Sequence, residues 1–91
     1  MIGMELEEIR KEIDKIDNEI LSLLAKRKAL AKEIALIKKS KNMPVLDEKR
    51  EAELIKRLKK KSKELGLNED LVVSLYNYIL ENSKKEQEEL L

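Results

Sequence analysis

The sequence predicts an all-α fold: three helices, one long and two shorter, in a homodimeric helical bundle. Three observations predict it. Ala, Glu, Lys, Leu and Arg make up 56 of the 91 residues, beside only two Gly and one Pro, which is the composition of long helices. Apolar residues recur at steps of three and four, the helical period. The three helices so defined have unequal lengths, and the surplus apolar surface of the longest calls for a second chain.

The first helix is expected over about residues 5–39. Leu6, Ile9, Ile13, Ile16, Ile20, Leu23, Leu30, Ile34 and Ile37 form one seam, and no Pro or Gly interrupts it. A loop from Ser40 to Leu46 holds the only proline, Pro44. The second helix is expected over about 48–65. Asp47 is its N-cap, Glu48 complements the helix dipole, and Gly66 is its C-terminal stop. The third is expected over about 69–87, capped by Asn68, with Glu69 and Asp70 in its first turn and fraying after Gln87. At 1.5 Å per residue these span roughly 52, 27 and 30 Å. The two short helices then cover about half of the long stripe, and pairing of two first helices covers the rest. The whole chain, 1–91, reads as one domain.

Composition excludes several function classes. With no Cys and no His, thiol nucleophiles, disulfides, imidazole bases and the common zinc sites are ruled out, and no metal is expected. A net charge of +1 with two Tyr as the only aromatics argues against nucleic acid. No apolar run is long enough for a membrane span. The acidic start, Met-Ile-Gly-Met-Glu-Leu-Glu-Glu, lacks the order of a signal peptide. A cytoplasmic location is expected.

Polar residues on apolar faces mark the candidate site. Arg27 occupies the seam slot between Leu23 and Leu30. A guanidinium cannot shed its proton, so a seam position calls for an anion or a local distortion. Lys38 stands eleven residues on, within about 20° of the same direction and about 16 Å along the axis. Both long side chains could close on one small anion, although a lysine at a helix end is as readily a solubilising group. Arg10 lies about 25 Å from Arg27 along the same rod, within reach only through an antiparallel partner; alone it reads as a surface residue. Glu51 shares a stripe with Leu54, Ile55 and Leu58. There it either accepts from a ligand hydroxyl or pairs with Arg27 or Lys38. Arg50 reads as a surface residue reaching back to Asp47. On the third helix the stripe of Val72, Tyr76 and Ile79 continues as Ser83 and Gln87, neutral donors at i and i+4. Periodicity alone favours their simply emerging into solvent. The set is rich in cations and poor in proton-transfer groups, with no nucleophile beside a base. It suits a small hydroxylated dicarboxylate and a reaction governed by shape and charge.

Read as strings, these positions resemble the all-helical class of chorismate mutase. The first helix reads Ile9-Arg10-Lys11-Glu12-Ile13-Asp14-Lys15-Ile16-Asp17, then Leu23-Leu24-Ala25-Lys26-Arg27, then Lys38. The loop and second helix read Pro44-Val45-Leu46-Asp47-Glu48-Lys49-Arg50-Glu51, and the third Glu81-Asn82-Ser83-Lys84-Lys85-Glu86-Gln87. Each motif is weak alone; the ordered set covers essentially the whole chain.

The resemblance implies an intertwined homodimer with two active sites shared between chains. It implies conversion of chorismate to prephenate, a Claisen rearrangement on the route to Phe and Tyr, without cofactor or metal. By family role, Arg27 and the partner subunit's Arg10 would grip the two carboxylates. Lys38 and Gln87 would hydrogen-bond the ether oxygen. Glu51 and the Asp47 backbone would hold the ring hydroxyl, with Arg50 and Ser83 in support. Such domains also occur fused to, or docked on, other enzymes of aromatic biosynthesis. Lys26 replaces a frequent acidic residue and Glu48 a frequent proline, and neither is expected to touch substrate. A neutral Gln87, where some members carry glutamate, implies activity without acidification. Two competing readings remain open here: an isochorismate-pyruvate lyase of the same fold, and a non-enzymatic helical dimerisation module in which Arg27 merely pairs with Glu51.

Overall fold

The computed structural model describes residues 2–90 and shows three helices, with no strand among the described residues. They are α1 (Ile2–Ser40), α2 (Glu48–Glu64) and α3 (Glu69–Leu90). The chain divides into two compact units, and the boundary between Leu30 and Ala31 falls within α1.

The helix ends follow from local chemistry. Helix α1 starts at Ile2 rather than near residue 5, and Ser40 is its last residue. Asn42 then adopts a left-handed φ of 55°. The Met43 N–H donates to the Lys38 carbonyl at 2.8 Å and the Asn42 N–H to Lys39 at 3.2 Å. This crossed pair of bonds is a Schellman motif, which satisfies carbonyls left over at a helix end. The same motif closes α2. Gly66 sits at φ 70°, Leu67 N–H donates to Ser62 at 2.8 Å, and Gly66 N–H to Lys63 at 3.2 Å. Asp47 begins α2 by accepting from the Arg50 N–H at 3.0 Å. Asn68 begins α3 by accepting from the Leu71 N–H at 3.1 Å. Lys63 and Glu69 pair at 3.4 Å across the α2–α3 turn.

No atom lies within 4 Å of a Cβ built on Gly66, so the positive φ alone requires glycine there. Gly66→Ala should cost about 1–2 kcal/mol, the strain of a left-handed L-residue. Asn42→Gly should hold or raise stability, since Gly takes that conformation without strain. Urea unfolding of the two variants checks both signs.

In the second unit α2 packs against α3. Leu54, Leu58 and Ser62, spaced by four, are the buried face of α2, and each buried leucine contributes roughly 1.5–3 kcal/mol. Ser62 is tolerated there because its Oγ donates to the Leu58 carbonyl at 2.7 Å. The facing side of α3 carries Val72, Tyr76, Ile79, Ser83 and Gln87, all half-buried or buried. Leu71 and Leu75 point outward. Helix α3 runs to Leu90 instead of fraying after Gln87, and Lys39 Nζ donates to the Leu90 carbonyl at 3.4 Å.

Along α1 the expected seam differs in one respect. The nine apolar seam residues from Leu6 to Ile37 are all between 44 and 61 % exposed. The short helices were expected to cover about half of that stripe. Within the second unit the covered position on α1 is Ala35, at 1 %, while Ile34 and Ile37 remain open.

Candidate active site

The candidate residues fall in both units. Arg10 and Arg27 belong to the first unit. Arg10 is exposed and pairs with Glu7 at 2.9 Å, one turn back on its own helix. Arg27 is half-buried, although its neighbours Leu23 and Leu30 are exposed.

The other six belong to the second unit. Lys38 is half-buried, and its Nζ donates to the Val45 carbonyl at 2.7 Å. That bond ties the end of α1 to the loop leading into α2. An ammonium has three N–H donors and one is used here, so it can still serve an incoming acceptor. Asp47 spends its side chain on the Arg50 N–H and its carbonyl on the Glu51 N–H, at 3.0 Å. Arg50 thus meets Asp47 through its backbone, not through the guanidinium anticipated from sequence, and its side chain is exposed.

Glu51 is half-buried one turn into α2. Its carboxylate pairs with Lys84 of α3, at 3.2 Å, a cation that the sequence did not offer, while Lys38 donates to Val45. Nothing in the local pattern pointed to Lys84, because the pairing is set by how α2 and α3 cross. Glu51 also lines an open groove of about 500 Å³ between α2 and α3, with Ala52, Ile55, Asn77 and Leu80 among its walls.

Ser83 is half-buried and Gln87 is buried, at 9 % exposure. The expectation from periodicity that both simply emerge into solvent is therefore corrected. The Gln87 amide oxygen is buried with no hydrogen-bond partner among the described residues. Leaving such a group unsatisfied costs about 1–3 kcal/mol, and an orphaned buried polar group in a native fold calls for an explanation. Lys38 and Gln87 each stand within one turn of the Lys39–Leu90 contact between the ends of α1 and α3. The described residues hold no His, Cys, Asp and Glu grouping fit for a metal ion. No described helix is long and apolar enough to cross a membrane.

Cations and neutral donors on a helical scaffold, in a chain with no Cys or His, suit chemistry by restraint and charge complementarity. The model of chorismate mutase type II matches residues 9–88, and this chain belongs to that family, whose members are isomerases. It is 40% identical over 86 residues to the chorismate mutase of Methanocaldococcus jannaschii, covering 94% of this chain and 87% of that protein. It is 40% identical over 79 residues to the bifunctional chorismate mutase/prephenate dehydratase of Aquifex aeolicus, covering 84% of this chain but 22% of that longer protein. Among solved structures, a conserved hypothetical protein from Pyrococcus furiosus aligns with a TM-score of 0.70 at 44% identity, covering 90% of this chain and 93% of that one.

Proposed function

We propose that this chain, one domain over residues 1–91, rearranges chorismate to prephenate in the cytoplasm as an intertwined homodimer whose two sites draw on both subunits. The observation that carries the reading is the match of the chorismate mutase type II model to residues 9–88.

The reaction breaks the ether C–O bond while a C–C bond forms between the enolpyruvyl side chain and the ring. No proton leaves or arrives, which fits a site without a general base. Negative charge grows on the ether oxygen, and Lys38 and Gln87 are the donors suited to it. The Lys38 ammonium is held by Val45, so its direction is set before substrate arrives. Arg27 and the partner subunit's Arg10 grip the two carboxylates and select the compact, chair-like conformer. Glu51 and the Asp47 backbone receive the ring hydroxyl, supported by Arg50 and Ser83.

The homodimer is supported by the exposed isoleucines and leucines of α1. A contiguous apolar stripe of that length is not stable against water. An antiparallel pairing of α1 helices covers it and carries Arg10 toward the other subunit's Arg27.

The test is a direct assay of purified protein without additives. Chorismate absorbance should fall as prephenate forms, and sedimentation should give a dimer at micromolar concentration. Pyruvate release from isochorismate without turnover of chorismate would assign the chain to the lyase reaction instead. A well-folded monomer would remove the shared site.

A further inference from the structure

We propose that Lys84 is a positioning residue that fixes the Glu51 carboxylate for the ring hydroxyl of the substrate. The inference rests on the assignment of Glu51 under the proposed function. Lys84 Nζ lies 3.2 Å from Glu51 Oε1, and the two side chains are only 33 and 28 % exposed. The Arg10–Glu7, Lys15–Glu12 and Lys61–Glu64 pairs are all more than half exposed and join residues three apart on one helix. The Lys84–Glu51 pair instead joins α3 to α2, across their packed faces. Holding a long lysine side chain in one place costs rotamer freedom, so a covered pair between helices restricts both partners.

The geometry leaves Glu51 with capacity to spare. Lys84 engages one carboxylate oxygen, and an ionised carboxylate offers about four lone-pair positions. Glu51 and Leu80 both line the α2–α3 groove, and Lys84 follows Leu80 by one helical turn. Lys84 also precedes Gln87 by three residues, so the two share one side of α3. The cation therefore meets the carboxylate from α3, the helix that carries the neutral donors. It sets where the acceptor for the hydroxyl stands relative to the donors for the ether oxygen. Lys84 touches Glu51 and acts on the reaction only through it.

The experiment compares Lys84→Met and Lys84→Arg in the full-length protein. Each is assayed on chorismate and on the analogue lacking the ring hydroxyl, read as turnover or as competitive inhibition. Lys84→Met should lower kcat/KM on chorismate roughly 10- to 100-fold, the effect of a displaced positioning group. It should change the analogue's value less than about twofold, and Lys84→Arg should recover most of the loss, because Arg also pairs with a carboxylate. In a Glu51→Ala background, Lys84→Met should have no further effect. Equal losses on both substrates, an added loss in the Glu51→Ala background, or an unchanged kcat/KM would each overturn the inference. Wild-type protein inert toward chorismate would overturn the proposed function itself, and this inference with it.

Discussion

Arg27→Ala is expected to give a folded protein whose turnover of chorismate is lower by at least about 10²-fold, the effect of losing one preorganised charged donor. Arg27 is half-buried while Leu23 and Leu30 on either side are exposed. If the site grips a dianion, the guanidinium supplies two parallel N–H donors to a carboxylate, and alanine supplies none. Loss should appear in kcat as well as KM, since the conformer that reacts is the one so gripped. A dimerisation module gives a different outcome, in which the variant either unfolds or behaves as wild type. Circular dichroism melting beside single-turnover kinetics separates the cases. An unfolded variant, or full activity, contradicts the assignment.

Gln87→Met is expected to lower turnover by about 10²- to 10³-fold while leaving thermal stability unchanged or higher. The two effects share one cause. The amide oxygen of Gln87 is buried with no hydrogen-bond partner among the described residues, and removing an unsatisfied polar group recovers about 1–3 kcal/mol of desolvation cost. Methionine nearly matches the volume but donates no hydrogen bond to an ether oxygen. Activity and stability therefore move in opposite directions, as expected where a site is kept at the expense of the fold. A melt that drops with activity would make Gln87 a structural residue. Because a carboxamide does not titrate, the wild-type rate should not climb steeply below pH 6; such a climb would remove Gln87 from its role.

Much of this protein is legible from residue order because helices obey local rules. Asp47, Gly66 and Asn68 announce their ends through side-chain acceptors and a positive φ, and those devices operate within four or five residues. Asn42, which residue order places only inside a loop, closes α1 as Gly66 closes α2. The ordered motifs around Arg10, Arg27, Lys38, Glu51 and Gln87 pointed to the family for a different reason. A ligand that needs particular charges fixes residue types at particular spacings.

Other features could not be read that way. Periodicity treats Gln87 as the polar continuation of a stripe, because it counts side-chain type and not what the neighbouring helix covers. It placed α3's fraying point where the helix in fact continues to Leu90. It offered Arg27 and Lys38 as partners for Glu51, since no one-dimensional rule reaches Lys84, thirty-three residues away.

Residue order by itself determined the three helices, the caps at Asp47, Gly66 and Asn68 and the apolar periodicity of α1, since each depends on interactions within a turn or two of chain. The tertiary structure decided that Lys84 holds Glu51, that Val45 holds Lys38, that Ala35 and not the isoleucines is covered, and that Gln87 is buried. Those depend on how helix faces meet, and the meeting is governed by side-chain volume and packing distance rather than by sequence period.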